Sequence, residues 1–169
     1  MADNALYETD ILAWSEQQAG ALRELAARRD LPNALDLEHV LEEIADVGLS
    51  ELNAIKSFVR LIPRHAVKCV VDPEALTVRH WHVEINNWQC ELADRISRSM
   101  HQRIDMGMLW GRAVRQAELD LLEQARDAAF IARLRSLHGN TCLLSLAELL
   151  LDPANPAVLV QRLSSALGA

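Results

Sequence analysis

Cysteine is scarce in this 169-residue chain, and Cys69, Cys90 and Cys142 are an odd number with no C-x-x-C spacing. That fits small buried thiols kept reduced in the cytoplasm better than a disulfide or zinc framework. Positive charge is also short: 17 Lys and Arg stand against 24 Asp and Glu, for a net charge of -7 and a sequence pI of about 5.3. Phosphate backbones are bound mainly through Lys and Arg, so no broad nucleic-acid surface is expected. No apolar run approaches the roughly 18 residues of a membrane span, and the N-terminal Met-Ala-Asp-Asn has acid where a secretory signal has basic residues. A Gly-rich phosphate loop, G-x-S-x-G and H-E-x-x-H are all missing, which removes the usual P-loop and nucleophilic-enzyme signatures. Nothing alternates at period two for long enough to argue a sheet, and there is no repeat, low-complexity tract or linker.

What is present is helical periodicity. Ile11, Trp14, Gln18, Leu22 and Leu25 step by threes and fours behind a Thr9 or Asp10 cap, which predicts a helix over 10–28. Pro32 and Asn33 break it, and Asp36 caps a second helix with Leu37, Val40, Leu41, Ile44 and Val47 as its apolar face. Gly48 reads as a break or tight turn before the pattern resumes at Leu52, Ile55, Phe58, Val59 and Ile62. Pro63 should kink the helix that then runs toward Asp72-Pro73. Trp81, Ile85, Trp88, Leu92 and Ile96 predict a helix over 78–100, and a longer stripe runs from Met106 through Leu134 to Gly139-Asn140. Ser145 and Glu148 form a capping box with Leu144 and Leu149 as its staple, for a short helix that stops at Asp152-Pro153, and Asn155-Pro156 caps a last segment over 158–167.

The expectation is an all-α, single-domain bundle of five to seven helices without a sheet. It divides into a domain at 5–152 and a short C-terminal helical segment at 153–169. A chain of this length buries roughly 70% of its unfolded surface and needs no metal or disulfide for stability. Trp14, Trp81 and Trp88 sit on apolar stripes and are expected to be buried.

Tyr7, Asp10, Trp14, Gln18 and Leu22, then Leu37-Glu38 with Glu42-Glu43-Ile44 and Gly48, then His65 with Lys68 and Trp81 with Ile85, follow an order and spacing that resembles the bacterial domain-of-unknown-function family 29. The tail Cys142, Ser145, Leu146, Leu149 and Leu150 is similar to that family's ending, so the resemblance covers residues 5 to 152. Between Ile96 and Asn140 the chain departs from the family pattern, whose usual Pro-Ser-Leu turn and acidic Ala-rich stretch are replaced by the segment 98–137. The resemblance implies an all-helical fold and no established activity. It marks Glu42, Glu43, Asp46, His65, Lys68 and Trp81 as the motif cluster.

The acids are the first candidates for chemistry. Glu38, Glu42 and Asp46 fall on one line at i, i+4, i+8 with Glu43 beside them, and each like-charge pair costs a few tenths of about 1 kcal/mol on an isolated helix, so some partner should offset them. Lys56, Arg60, Arg64 and Lys68 form a basic line one helix later. An antiparallel hairpin about Gly48 would lay Lys56 and Arg60 beside the acids, as exposed pairs worth roughly 0 to 1 kcal/mol each. The competing reading is a metal site. Glu42-Glu43-x-x-Asp46 and Glu91-x-x-Asp94 resemble the carboxylate sets of all-helical nucleotide pyrophosphatases, which would make the protein an Mg- or Mn-dependent hydrolase of nucleotide-like substrates. Their separation is longer than in those enzymes, and no substrate-binding motif accompanies them.

The histidines carry less. His39 with Glu43 and His101 with Asp105 read as surface pairs, and His80-x-His82 points its rings about 200° apart on a helix. His65 reads as a satisfied core or interface residue with no nucleophile beside it. The favoured function is a non-enzymatic interaction or structural module without a cofactor. It would present its tryptophans or the Leu-rich stretch Leu143 to Leu151 to a protein partner or to a second copy of the chain.

Overall fold

The structure is a computed structural model that describes residues 4–28, 35–122, 130, 132–133, 137, 141–151 and 153–167. These residues hold eight helices and no strand: α1 (Asn4–Thr9), α2 (Ile11–Ala26), α3 (Leu37–Val71), α4 (Val78–Arg95), α5 (Arg98–His101), α6 (Met106–Leu122), α7 (Leu146–Leu149) and α8 (Pro156–Leu167). The all-α expectation holds, with one helix more than the upper end of the expected range. Contacts group into two compact units, Met1–Ile55 with Ile96–Ile104 and Lys56–Arg95 with Asp105–Ala169.

In the first unit the local chemistry centres on Asp10. Its Oδ1 accepts the Ala13 N–H at 3.1 Å and so caps α2. The same carboxylate accepts the hydroxyls of Ser97 at 2.7 Å and Ser99 at 2.6 Å, and its Oδ2 accepts the Ser99 N–H at 2.9 Å. Ser97 is the N-cap of α5 but makes no side-chain cap bond of its own, so one carboxylate serves the starts of two helices. This corrects the helix expected over 78–100. It ends at Arg95, Ser97 turns extended, and α5 restarts where Ser99 reaches Asp10.

Gly48 brings the second correction. It breaks nothing, because α3 runs unbroken from Leu37 to Val71. A Cβ at Gly48 would collide with Ser15 Oγ and lie 3.0 Å from Leu12 Cα, so the glycine is there for the close approach of α2. The packed side of α2 is Leu12, Ser15 and Ala19, all buried. Trp14 is only half-buried and meets Tyr7 edge to face at 4.8 Å between ring centroids. Asp36 caps α3 through the His39 N–H at 3.3 Å, as expected. The apolar face assigned to α3 is buried only from Gly48 onward, at Leu52 and Ile55; Val40 is 40% and Val47 45% exposed.

The second unit holds most of the core. Val59, Ile62, Ala66, Val67, Val70 and Val71 of α3 are buried, and Pro63 sits inside the helix without ending it. Trp81, Ile85 and Leu92 of α4 and Leu109, Trp110, Val114 and Leu121 of α6 line the same core. Trp88 is half-buried, so burial holds for Trp81 and fails for Trp14 and Trp88. Asp105 accepts the Met108 N–H at 2.9 Å at the start of α6. The expected continuation through Ala125, Ala129 and Leu134 to Gly139-Asn140 lies outside the described residues except for isolated positions, as do the Pro32-Asn33 break and the stop at Asp152.

Both bonds of the Ser145–Glu148 capping box form, with Leu144 and Leu149 buried. Asn155 caps α8, which packs on α4 through a side that buries Leu159 and Leu163. All three cysteines are free. No helix among the described residues is long and apolar enough to cross a membrane.

Candidate functional site

Of the motif cluster, the second unit gathers His65, Lys68 and Trp81. Arg64, His65 and Lys68 occupy consecutive positions and one further turn of α3, so their side chains leave the helix toward α4 and α6. Asp120 of α6 is the anchor. It accepts two bonds from Arg64, from Nε and Nη2, each at 2.8 Å, and lies 3.6 Å from Lys68 Nζ. Lys68 Nζ also stands 4.5 Å from the centre of the Trp81 ring, a cation–π contact on a buried tryptophan. Burial works against ionisation of Asp120, but the Arg64 hydrogen bonds and the charges of Arg64 and Lys68 outweigh it and hold the carboxyl below its ordinary value. Burial pulls Lys68 below the usual ammonium value, and Asp120 opposes that shift.

His65 forms the second half of the cluster. Its Nδ1 lies 3.1 Å from the Leu61 carbonyl and its Nε2 3.2 Å from Glu84 Oε2, with the ring edge-on to Trp88 at 4.8 Å. Both nitrogens face oxygen acceptors, which a protonated ring satisfies at once and a neutral ring only on one side. Burial, and then the nearby Lys68 charge, nevertheless push the imidazole below its ordinary pKa. Glu84 is shared, since His80 Nε2 lies 3.5 Å from the same oxygen.

Chemically this arrangement is closed. Arg64 and Lys68 spend their charge on Asp120 and His65 spends its ring on Leu61 and Glu84. Cys69, the nearest candidate nucleophile in sequence, is buried and its thiol is pushed up to about 12 by desolvation. It lines a cleft of about 430 Å³ with Val70, Pro73, Arg133, Val160 and Ser164, where Arg133 Nε already donates to the Val71 carbonyl at 3.0 Å.

The remaining motif acids lie apart from this arrangement in sequence and in unit. Glu42, Glu43 and Asp46 are exposed on the part of α3 that belongs to the first unit. The expected ion-pair hairpin does not exist, because α3 does not turn back at Gly48 and Lys56 and Arg60 simply follow along the same helix. Arg64 and Lys68 of that basic line pair with Asp120 instead. For the metal reading, Glu91 and Asp94 fall in the other unit from Glu42, Glu43 and Asp46, and Glu91 pairs with Arg95 at 3.2 Å. Among the described residues no group of three or more His, Cys, Asp and Glu side chains is placed to hold a metal ion. His39 turns to Asp36 at 2.6 Å rather than to Glu43.

Sequence reasoning missed Asp10 as a double cap and both Asp120 and Glu84 as partners. Asp120 stands 56 residues from Arg64, and no local pattern joins them. The Leu-rich stretch offered as a contact surface buries Leu144 and Leu149 and leaves its other leucines partly covered.

Comparison with known proteins agrees with this architecture and adds no activity. No curated protein matches the chain. A crystal structure at 1.45 Å resolution of an alpha-helical protein of unknown function from Rhodospirillum rubrum is similar at 38% identity, with a TM-score of 0.79 over 93% of this chain and 96% of that one. The family model for the domain of unknown function DUF29 matches residues 6–149, and the chain belongs to that family.

Proposed function

We propose that this protein works by binding another macromolecule, as an interaction module in the cytoplasm, and that the N-terminal part of α3 is its contact surface. The observation that carries this is burial. Residues 37–47 include five large aliphatic side chains, Leu37, Val40, Leu41, Ile44 and Val47, and none of the eleven residues is buried. Leu37, Leu41 and Ile44 are partly covered and Val40 and Val47 exposed, and a helix that leaves an apolar stripe only part-covered marks an interaction site more often than a scattered exposed leucine does. The polar cluster of Arg64, His65, Lys68, Asp120 and Glu84 supports the reading from the other side. Its groups are spent on one another, which suits a scaffold that fixes helices rather than a site that turns over substrate. Three free cysteines agree with a reducing compartment.

Photo-crosslinking in the native cell tests this. A photoreactive side chain placed at Val47 should give discrete adducts, and the same group at Arg112, exposed on α6, should not. No adduct from Val40 or Val47, or equal adducts from Arg112, would reject the reading.

A further inference from the structure

We infer that the surface around Val40 and Val47 receives a cationic amphipathic helix of a different protein, an inference that rests on the reading of α3 as the contact surface. Val40 and Val47 are two helical turns apart on one line and expose 40% and 45% of their surface. Such a row is the spacing by which one helix docks the apolar face of another. The inner side of the stripe turns to α2 at Gly48, so among the described residues the outer side is what remains for a partner.

Charge selects the occupant. Glu38, Glu42, Glu43 and Asp46 place four acids within nine residues, and among the described residues none of them is held in an ion pair. The one basic-capable side chain in that span, His39, is turned to Asp36 at 2.6 Å. A shallow groove of about 410 Å³ lined by Glu43, Asp46, Val47, Ser50 and Glu51 brings two of the acids, Glu43 and Asp46, to the same edge of α3 as Val47. Like charges at i, i+4 weaken a helix, so cations from outside relieve a repulsion that the chain leaves standing. Lys or Arg flanking an apolar row supplies both halves of the match. A second copy of this chain supplies only one, because a two-fold contact sets the same patch on both sides and brings acids toward acids.

The full chain is tested against two fluorescent helical peptides that share a leucine row and differ only in having Lys or Glu beside it. The Lys peptide should bind at least about tenfold more tightly than the Glu peptide and weaken as salt rises. Val47→Asp, and separately the near-isosteric pair Glu43→Gln and Asp46→Asn, should each weaken it about tenfold or more, while Glu74→Gln, an exposed acid elsewhere, should not. Both sets lie on exposed positions, and unchanged circular dichroism confirms that the fold persists. Equal binding of the two peptides, or indifference to the α3 variants, overturns the inference.

Mapping the Val47 adduct by mass spectrometry gives the second arm. A Lys- and Arg-rich helix in another protein is the expected site. An adduct on α3 of a second copy, or on an acidic or neutral segment, overturns the cationic partner and leaves α3 a contact surface. Absence of any adduct instead removes the interaction reading itself.

Discussion

The Asp10 carboxylate that caps α2 also accepts the Ser99 N–H at 2.9 Å, so the starts of α2 and α5 share one acceptor although 89 residues separate the two positions. Burial opposes its ionisation, yet four hydrogen bonds from Ser99, Ser97 and Ala13 hold its pKa below the ordinary value. A single residue of the N-terminal motif thus ties the starts of two helices of the first unit together.

Removing that carboxylate should cost more than an ordinary cap. A single N-cap loss runs to about 1 to 2 kcal/mol, and Asp10→Ala also strands the Ser99 amide and two hydroxyls. Chemical denaturation should show a loss at or above the upper end of that range, with Asp10→Asn losing less because it keeps an acceptor. A loss below about 0.5 kcal/mol for Asp10→Ala would mean that water replaces the carboxylate at both helices.

The Arg64–Asp120 fork is the corresponding link in the second unit. Each side chain is 27% exposed, so the pair is screened less than a surface bridge. Asp120→Ala leaves Arg64 and the mostly buried Lys68 without their acid and should destabilise by about 1 to 3 kcal/mol. A double-mutant cycle of Arg64→Met with Asp120→Ala should return a coupling of about 1 kcal/mol or more, and additivity within error would show that the fork contributes nothing.

Asp10, Asp36, Ser145 and Asn155 were legible as caps because a cap is a bond between near neighbours. Gly48 was not, since the same residue ends a helix or lets another backbone approach it, and only the presence of Leu12 and Ser15 decides which. The helix over 78–100 failed for the same reason: past Arg95, Ser97 and Ser99 bond to the Asp10 carboxylate, a partner far away in sequence. Trp88 shows the limit of periodicity, as a position on an apolar stripe half-buried against His65 rather than enclosed. The polar cluster was half visible. His65, Lys68 and Trp81 came from the motif, but Asp120 and Glu84 are partners that only the packing of α3, α4 and α6 supplies.

Gly20 and Gly48 should respond in opposite directions to the same substitution. Gly→Ala inside a helix ordinarily stabilises by about 0.5 to 1 kcal/mol, and Gly20→Ala in α2, with nothing within 4 Å of the added carbon, should do so. Gly48→Ala should do the reverse and destabilise by about 1 to 3 kcal/mol, because Leu12 Cα is backbone and cannot move aside as a side chain would. Melting curves for the two variants should shift in opposite directions. A stabilising Gly48→Ala would show that α2 and α3 are not held at this separation.

Two histidines should leave opposite marks on the pH dependence of stability. The ordinary imidazole pKa is 6.5, and in the folded chain His65 lies below it, because of burial and then Lys68, whereas His39 lies above it, because of its hydrogen bond to Asp36. For His65 the unfolded chain takes up the proton first. Its contribution is therefore complete above pH 6.5 and is lost as the pH falls from 6.5 through the lowered folded value. For His39 the folded chain takes up the proton first, so its contribution is complete below 6.5 and is lost as the pH rises from 6.5 through the raised folded value. His65→Gln, which keeps a donor for the Leu61 carbonyl, should flatten the acid side of a plot of melting temperature against pH and leave the alkaline side alone. His39→Gln should act on the alkaline side only, and weakly, because that pair is exposed and salt-screened. If His65→Gln instead steepened the acid side, the protonated ring donating to both Leu61 and Glu84 would be the favoured folded form, and the imidazole would be raised rather than lowered.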